Sequence, residues 1–186
     1  MIGIETTRLI LRNFRADDAE SLHEMIVQKE SSPYAIYDNE WPTSLERIKK
    51  VTNWFASADH YIAVCLKETG KLIGSVSLNP AEQKESREFD LGYCFNSDYH
   101  RQGYASEAGK AVVDYAFSDL KADCLTSGTA AANGPSCRLL DRLGFTKIGE
   151  GTVSFRKTPD GKPIEFVGWE FILAREDWMR SQNAAM

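Results

Sequence analysis

Cysteine and histidine are scarce in this chain, four and three among 186 residues. Cys65, Cys94, Cys124 and Cys137 form no C-x-x-C pair, and no histidine cluster stands near them. That spacing argues against a zinc or dithiol redox site and leaves reduced, mostly buried thiols as the expectation. Long apolar runs are missing too: nothing approaches the ~18 residues a membrane span needs. Met1 to Arg12 is interrupted by Glu5, Arg8 and Arg12, so it has no apolar region of the kind a signal peptide carries. The expectation is a cytoplasmic protein that does not engage a membrane. Basic residues are not in excess, with 22 Lys and Arg against 27 Asp and Glu and a net charge of −5. A dedicated nucleic-acid binder usually shows a basic face, so none is expected here. The sequence also lacks repeats, low-complexity tracts, linkers and any G-x-x-x-x-G-K-[ST] phosphate loop.

What is present reads as one domain, 1–186, long enough to bury a core without staples. Arg8-Leu9-Ile10-Leu11-Arg12 alternates with the period of a strand. Asp17 or Asp18 caps a helix with Leu22, Met25 and Ile26 on one face. Ser31 to Pro42 is an aromatic, turn-rich loop, and Thr43 or Ser44 caps a helix bearing Leu45, Ile48, Val51, Trp54 and Phe55. Tyr61 to Leu66 and Leu72 to Leu78 form a hairpin around Glu68-Thr69-Gly70-Lys71, Asn79 to Ser86 is a polar loop, and Glu88 to Phe95 is a further strand. Tyr104 to Leu120 is an alanine-rich helix and Cys124-Leu125-Thr126 a short strand. A helix opens at Gly134 or Pro135 and stops at Gly144. Phe145 to Phe155 and Ile164 to Leu173 close the order as two strands, with a last helical turn over Arg175 to Arg180. The sum is a mixed α/β (α+β) domain, antiparallel in its first half and β-α-β-α in its second.

The sharpest feature is a strand and loop running into Gly103-x-Ala105 at the start of a helix. A helix N-terminus offers unpaired N–H groups and a positive dipole end, a ready site for phosphate oxygens. A dinucleotide fingerprint can be written as Gly103-x-Ala105-x-x-Ala108 with Asp123 downstream. It fails on context: Asp123 precedes its apolar run, and the motif follows a hairpin instead of opening a first βαβ unit.

Leu91-Gly92-Tyr93-Cys94-Phe95 followed by Gln102-Gly103-Tyr104-Ala105-Ser106-Glu107-Ala108 resembles the core motif of the GNAT acetyltransferase superfamily, nearest the RimJ and RimL type branch of ribosomal-protein alanine acetyltransferases. Thr7 to Arg12 resembles that branch's opening strand, Lys71-Leu72-Ile73-Gly74 its third strand, and Asn133, Ser136 and Arg138 to Phe145 its second motif. The resemblance implies a mostly antiparallel central sheet, flanked by helices and splayed between the family's fourth and fifth strands, here Glu88 to Phe95 and Cys124 to Ser127. It implies acetyl-CoA as cosubstrate, with no metal. Main-chain groups of Cys94 and Phe95 would hold the pantetheine arm. His100, Arg101, Gln102, Gly103, Tyr104, Ala105 and Ser106 would form the pyrophosphate loop, and Asn133 and Ser136 would contact the cofactor. Tyr34, Tyr37 and Trp41 would shape the acceptor pocket, the alternative being that some of them pack on the core. The family's tyrosine general acid falls at Leu140, and the branch's alternative serine falls at Ser136. Homodimers occur in the family.

The chemistry is attack of a neutral amine on a thioester. At pH 7 a lysine amine is about 0.04% neutral and an α-amine about 14%, so an α-amine asks less of a base. Asp90 is the candidate base, with Glu88 in reserve; Glu88, Asp90, Gly92 and Cys94 share one strand face. Both carboxylates read equally as solvated edge residues. Ser136 is either the acid that protonates the leaving sulfur or a serine that caps its helix. The resemblance implies that the oxyanion donor is a fourth-strand amide, here that of Cys94 or Phe95. The expected activity is N-acetyl transfer to a primary amine, such as the α-amine of a protein or peptide. A small-molecule amine acetyltransferase is the alternative, and a CoA-binding domain without catalysis is the alternative of another class.

Overall fold

Eight strands form one sheet in the order β1-β2-β3-β4-β5-β6-β8-β7, in a computed structural model that describes residues 2–81 and 87–184. The strands are β1 (Gly3–Glu5), β2 (Leu9–Asn13), β3 (Tyr61–Leu66), β4 (Leu72–Pro80), β5 (Glu88–Phe95), β6 (Cys124–Ala130), β7 (Thr146–Val153) and β8 (Phe166–Ala174). The helices are α1 (Ala19–Glu30), α2 (Leu45–Ala56), α3 (Tyr104–Ser118), α4 (Gly134–Arg142) and α5 (Arg175–Ala184). Every pairing is antiparallel except β5 with β6. This is the mixed, mostly antiparallel sheet expected.

Boundaries differ from expectation in physically simple ways. The short strand β1 hairpins onto β2 and was not anticipated, because three residues carry no periodic signal. β6 runs through Ala130 because β8 pairs along its full length. Asn79 and Pro80 belong to β4, Ala81 N–H donates to the Glu88 carbonyl, and the rest of the expected polar loop, 82–86, lies outside the described residues. Pro80 stands at the last paired position, where a missing N–H costs least. The C-terminal segment is a ten-residue helix, and Trp178 anchors it by stacking on Phe117 and donating to Asp114.

Two apolar layers sandwich the sheet. One joins Leu9, Leu11, Ile62, Val64, Leu91 and Leu125 to the α3 residues Ala108, Val112, Ala116 and Phe117 and to Leu140 of α4. The other joins Ala63 and Cys65 to Leu22, Met25 and Ile26 of α1 and Ile48 and Phe55 of α2. Small residues bring α3 close to its neighbours: a Cβ built on Gly109 would meet the Leu143 side chain at 2.8 Å. Trp54 was placed on the core face of α2, yet it is half exposed. Ile48, Thr52 and Phe55 take the buried stripe, and Trp54 leans on Phe55 and Tyr61 at its rim. Among the described residues no helix is long and apolar enough to cross a membrane.

Arg156, in the segment between β7 and β8, is an internal clasp. Its Nε donates to the Asp38 carbonyl at 2.8 Å, and its Nη2 donates to Glu30 Oε1 at 2.9 Å and to the Asn39 carbonyl at 3.1 Å. Both side chains of the ion pair are mostly buried. The segment between β7 and β8 is thereby fastened to the segment after α1.

Replacing Arg156 with Ala leaves Glu30 buried without its partner, so a loss of about 3 kcal/mol is expected in urea unfolding. At Gly74 a Cβ would lie 2.4 Å from the Phe95 ring. Gly74→Val is therefore expected to cost about 1–3 kcal/mol by overpacking, read as a lowered Tm.

Candidate active site

The site is organised by the end of a strand pairing. β5 and β6 pair in parallel at only three positions, Glu88 with Cys124, Phe89 with Leu125 and Asp90 with Thr126. Beyond Asp90 the strands part, although β5 continues to Phe95 and β6 to Ala130. At the apex the buried Ser127 hydroxyl donates to the Leu91 carbonyl at 2.8 Å. A side chain thus satisfies a carbonyl that the ladder no longer reaches.

Which β5 main-chain groups face this fork follows from the ladder. Ala81 N–H donates to the Glu88 carbonyl and Asn96 N–H to the Ile73 carbonyl, so even-numbered positions point at β4. Asp123 N–H donates to the Arg87 carbonyl, so odd-numbered positions point at β6 and into the fork. This corrects the main-chain assignment made for Cys94: its N–H and C=O belong to the β4 ladder opposite Ser75. Tyr93 and Phe95 present theirs to the fork. The Phe95 carbonyl is itself occupied, lying 3.0 Å from His100 Nε2, which must carry the proton there.

The loop after β5 is held from several sides. Asn96, fully buried, accepts from Asp98 N–H and donates to Glu24, which also pairs with Lys71. Those hydrogen bonds hold the Glu24 carboxyl below its ordinary pKa, the Asn96 amide being the larger cause. Arg101, at φ 59°, and Gly103, at φ 84°, both adopt left-handed conformations, so the backbone winds into a concave nest. The amides of Arg101, Gln102, Gly103, Tyr104, Ala105 and Ser106 have no partner among the described residues, while Glu107 N–H closes the first helical turn onto the Gly103 carbonyl. His100 is corrected here: its amide is spent on the Ser97 carbonyl, so it does not belong to the cradle. These free amides at a helix N-terminus are able to hold an anion such as a pyrophosphate.

A carboxylate beside that cradle is neutralised. Glu107 accepts from Thr6 Oγ1 at 2.6 Å, Arg8 N–H at 2.8 Å and Arg8 Nε at 2.7 Å. Partial burial alone would raise its pKa, but these hydrogen bonds outweigh it and the net shift is downward. Arg8 also donates to the Gln102 carbonyl at 2.9 Å and lies over the Tyr104 ring. The carbonyl of the loop is thereby drawn to one side. Sequence reading singled out neither Arg8 nor Glu107, though both stand inside motifs it quoted.

Side chains alternate across β5, so the fork is approached from both faces. On the α1 and α2 face, Asp90 stands at the last paired position, opposite Asn79 on one side and Thr126 on the other. Solvent reaches its carboxylate, yet the surrounding protein crowds it. Desolvation raises its pKa, with the Asn79 amide pulling the opposite way. Glu88 stands two residues further from the fork, opposite Cys124. On the other face, Tyr93 reaches α4, where its hydroxyl lies 2.7 Å from Ser136 Oγ and 3.4 Å from the Ser136 carbonyl. Burial pushes Tyr93 up to about 12 and the neighbouring Cys94 thiol to about 11. Asn133 caps α4 by accepting from Ser136 N–H at 3.3 Å, and its amide NH2 has no partner among the described residues. Leu140 is fully buried in the core. Sequence reading missed Tyr93; its place in the strand was legible, its reach to α4 was not.

The three aromatics of the 31–42 segment separate. Tyr37 packs edge-on against Phe166 of β8, and Tyr34 sits beside it at the surface. Trp41 is corrected: it turns inward onto Phe55, with Lys29 over its ring. Among the described residues no three His, Cys, Asp or Glu side chains converge as a metal site would need.

Residues 8–146 match the family described as Acetyltransferase (GNAT) domain. The chain is 29% identical over 178 residues to the uncharacterized N-acetyltransferase YoaA of Bacillus subtilis, covering 93% of this chain and 98% of that one. The fold superposes on a GNAT-family acetyltransferase from Bacillus anthracis with a TM-score of 0.78 at 24% identity, covering 94% of this chain and 99% of the other. A ribosomal-protein-S5-alanine acetyltransferase from Vibrio fischeri gives a TM-score of 0.78 at 19% identity, over 96% and 99% of the two chains. With the forked sheet and the amide cradle in place, the chain belongs to the GNAT acetyltransferase family and is an N-acetyltransferase.

Proposed function

We propose that this N-acetyltransferase takes acetyl-CoA as its donor and acetylates the α-amine of a protein or peptide. One observation carries the reading: the β5–β6 fork joins an unpaired amide cradle at its loop end to a raised-pKa carboxylate at its apex. Acetyl-CoA supplies an acetyl group already activated as a thioester. The amides from Arg101 to Ser106 suit its pyrophosphate, and the main-chain groups of Tyr93 and Phe95 suit its amide-bearing arm. The free NH2 of Asn133 adds a further donor on the α4 side.

Asp90 takes the proton of the attacking amine, directly or through a water. A carboxylate raised by desolvation is still a modest base, and an α-amine, about 14% neutral at pH 7, needs no stronger one. Glu88 lies further from the fork and remains in reserve. A fork-facing N–H of Tyr93 or Phe95 donates to the carbonyl oxygen as it gains charge, a contribution of about 10²–10³ in rate for one such donor. Ser136 donates to the departing sulfur from the opposite face. The Vibrio fischeri enzyme, whose name specifies a ribosomal-protein alanine, shares the fold.

Thiol release from acetyl-CoA, followed with a pool of peptides bearing free α-amines and with free polyamines, tests the acceptor. Faster turnover of the peptides is expected, and a preference for polyamines rules the peptide assignment out. Asp90→Asn is expected to slow turnover about a hundredfold. It is also expected to raise Tm at pH 7, because a carboxylate with a raised folded pKa is disfavoured in the fold once ionised. That gain should vanish below the ordinary carboxylate range, where Asp90 is protonated in both states. An Asp90→Asn enzyme with wild-type turnover would remove Asp90 as the base.

A further inference from the structure

We propose that Tyr93 is a positioning residue that fixes the Ser136 hydroxyl as a hydrogen-bond donor to the sulfur of CoA, an inference that rests on acetyl-CoA occupying the β5–β6 fork. The geometry is a hydroxyl pair at 2.7 Å, linking the middle of β5 to the first turn of α4 across the fork. Neither residue is a surface group: the Tyr93 ring packs on the α3-side core, and Ser136 is half-buried. Asn133 fixes the Ser136 backbone by accepting its N–H, so the serine is held at its main chain and at its hydroxyl.

Proton direction decides what the pair does. A hydroxyl has one proton to give. If Ser136 donates to Tyr93, the tyrosine proton is left with the Ser136 carbonyl, a long contact at 3.4 Å. If Tyr93 donates to Ser136 Oγ, the bond is the short one, and the serine proton is free to point into the fork. A phenol is the better donor of the two because it is far more acidic than an aliphatic hydroxyl. An anionic sulfur in the fork selects this second arrangement, and the two hydroxyls then act in series on one negative charge.

The same acidities say that the pair gives a hydrogen bond and not a proton. A thiol titrates ordinarily near 8.5, whereas Tyr93 is pushed up to about 12 by burial. Transfer from Tyr93 or Ser136 to a thiolate is therefore uphill, and the sulfur leaves as a hydrogen-bonded thiolate. The amine's proton is removed on the opposite face, by Asp90, so no proton has to cross the fork. Leu140 leaves the helix without a hydroxyl one turn beyond Ser136, and Tyr93 brings a phenol to the same helix from the sheet.

The binding test needs no acceptor. A donor aimed at the sulfur lowers the thiol pKa of bound CoA, so CoA must bind more tightly as pH rises from the bound value to the free one. Acetyl-CoA has no thiol to ionise and experiences every titration of the protein, including Asp90, Cys94 and Cys137. The ratio of the two affinities by calorimetry therefore isolates the sulfur. From about two pH units below the pKa of the free CoA thiol to about half a unit above it, that pKa being read by titrating CoA itself, the wild-type preference for CoA over acetyl-CoA is expected to rise roughly tenfold, the strength of one hydrogen bond to a charged group. Tyr93→Phe keeps the ring and its packing, and is expected to lose most of that rise while binding acetyl-CoA as before. It should lower kcat with KM little changed. Ser136→Ala should abolish the rise, and adding Tyr93→Phe to it should change nothing further. If Ser136→Ala abolishes the rise and Tyr93→Phe keeps it, the role of Tyr93 is overturned and that of Ser136 stands. If Ser136→Ala keeps the wild-type rise, or the wild type shows none, Ser136 does not face the sulfur and both assignments fall.

Discussion

Three residue pairs between β5 and β6, and the fact that there are only three, are what the rest of this molecule depends on. Two parallel strands separate only if their unpaired main-chain groups find other partners or are left for a ligand. At the apex the Ser127 hydroxyl takes the Leu91 carbonyl, so the parting begins without an orphaned group. Further out, His100 takes the Phe95 carbonyl. The remaining Tyr93 and Phe95 amides stay open on the strand, held in place by an intact β4 ladder on the other edge. The fork is thus a prepared edge: one side of β5 is rigid sheet, and the other is unspent hydrogen-bonding capacity.

Strand alternation then separates the chemistry. Because Asp90 and Tyr93 are three residues apart, they project from opposite faces of β5. Asp90, the proposed proton acceptor, sits on the α1 and α2 side between Asn79 and Thr126, where solvent reaches it. The hydroxyls proposed to face the sulfur sit on the α3 and α4 side, with the Tyr93 ring against the core and Ser136 half-buried. Desolvation raises both groups, with opposite consequences. It makes Asp90 a somewhat better base and keeps Tyr93 a neutral donor throughout the physiological range.

Much of this was legible in the residues, and the part that was not has a common cause. Element order followed from local periodicity, while the splayed sheet and the loop from His100 to Ser106 were what the family resemblance implied. The side-chain alternation of β5 was also legible, yet the main-chain assignment to Cys94 was not correct. Which edge an amide faces is set by the partner strand's register, and that information is not local. The same holds for Arg156 and Glu30, which meet across 126 positions, and for Arg8 and Glu107, which meet across 99. A charged residue looks solvated in sequence until its distant partner is known. Trp41 was placed on the acceptor wall with Tyr34 and Tyr37 by resemblance to the family's aromatic loop. Packing divides them: Phe55 offers Trp41 a core contact, and Tyr37 packs edge-on against Phe166.

The charge balance leads to a last step. The chain is acidic, at −5, yet its cradle suits a strongly anionic group. Long-range attraction by net charge cannot supply that affinity, and a carboxylate stands in the first turn of the very helix that forms the cradle. The resolution is local. Arg8 and Thr6 spend the charge of Glu107 on short hydrogen bonds, and the same arginine draws the Gln102 carbonyl aside. What then faces the anion is a set of fixed N–H dipoles in a left-handed nest, whose pull is short-ranged and geometric. Affinity built in this way depends on the loop being held in shape more than on its charge, which explains why so many side-chain contacts, from Glu24, Gln28, Asn96 and Arg8, are devoted to a loop whose own contribution is backbone.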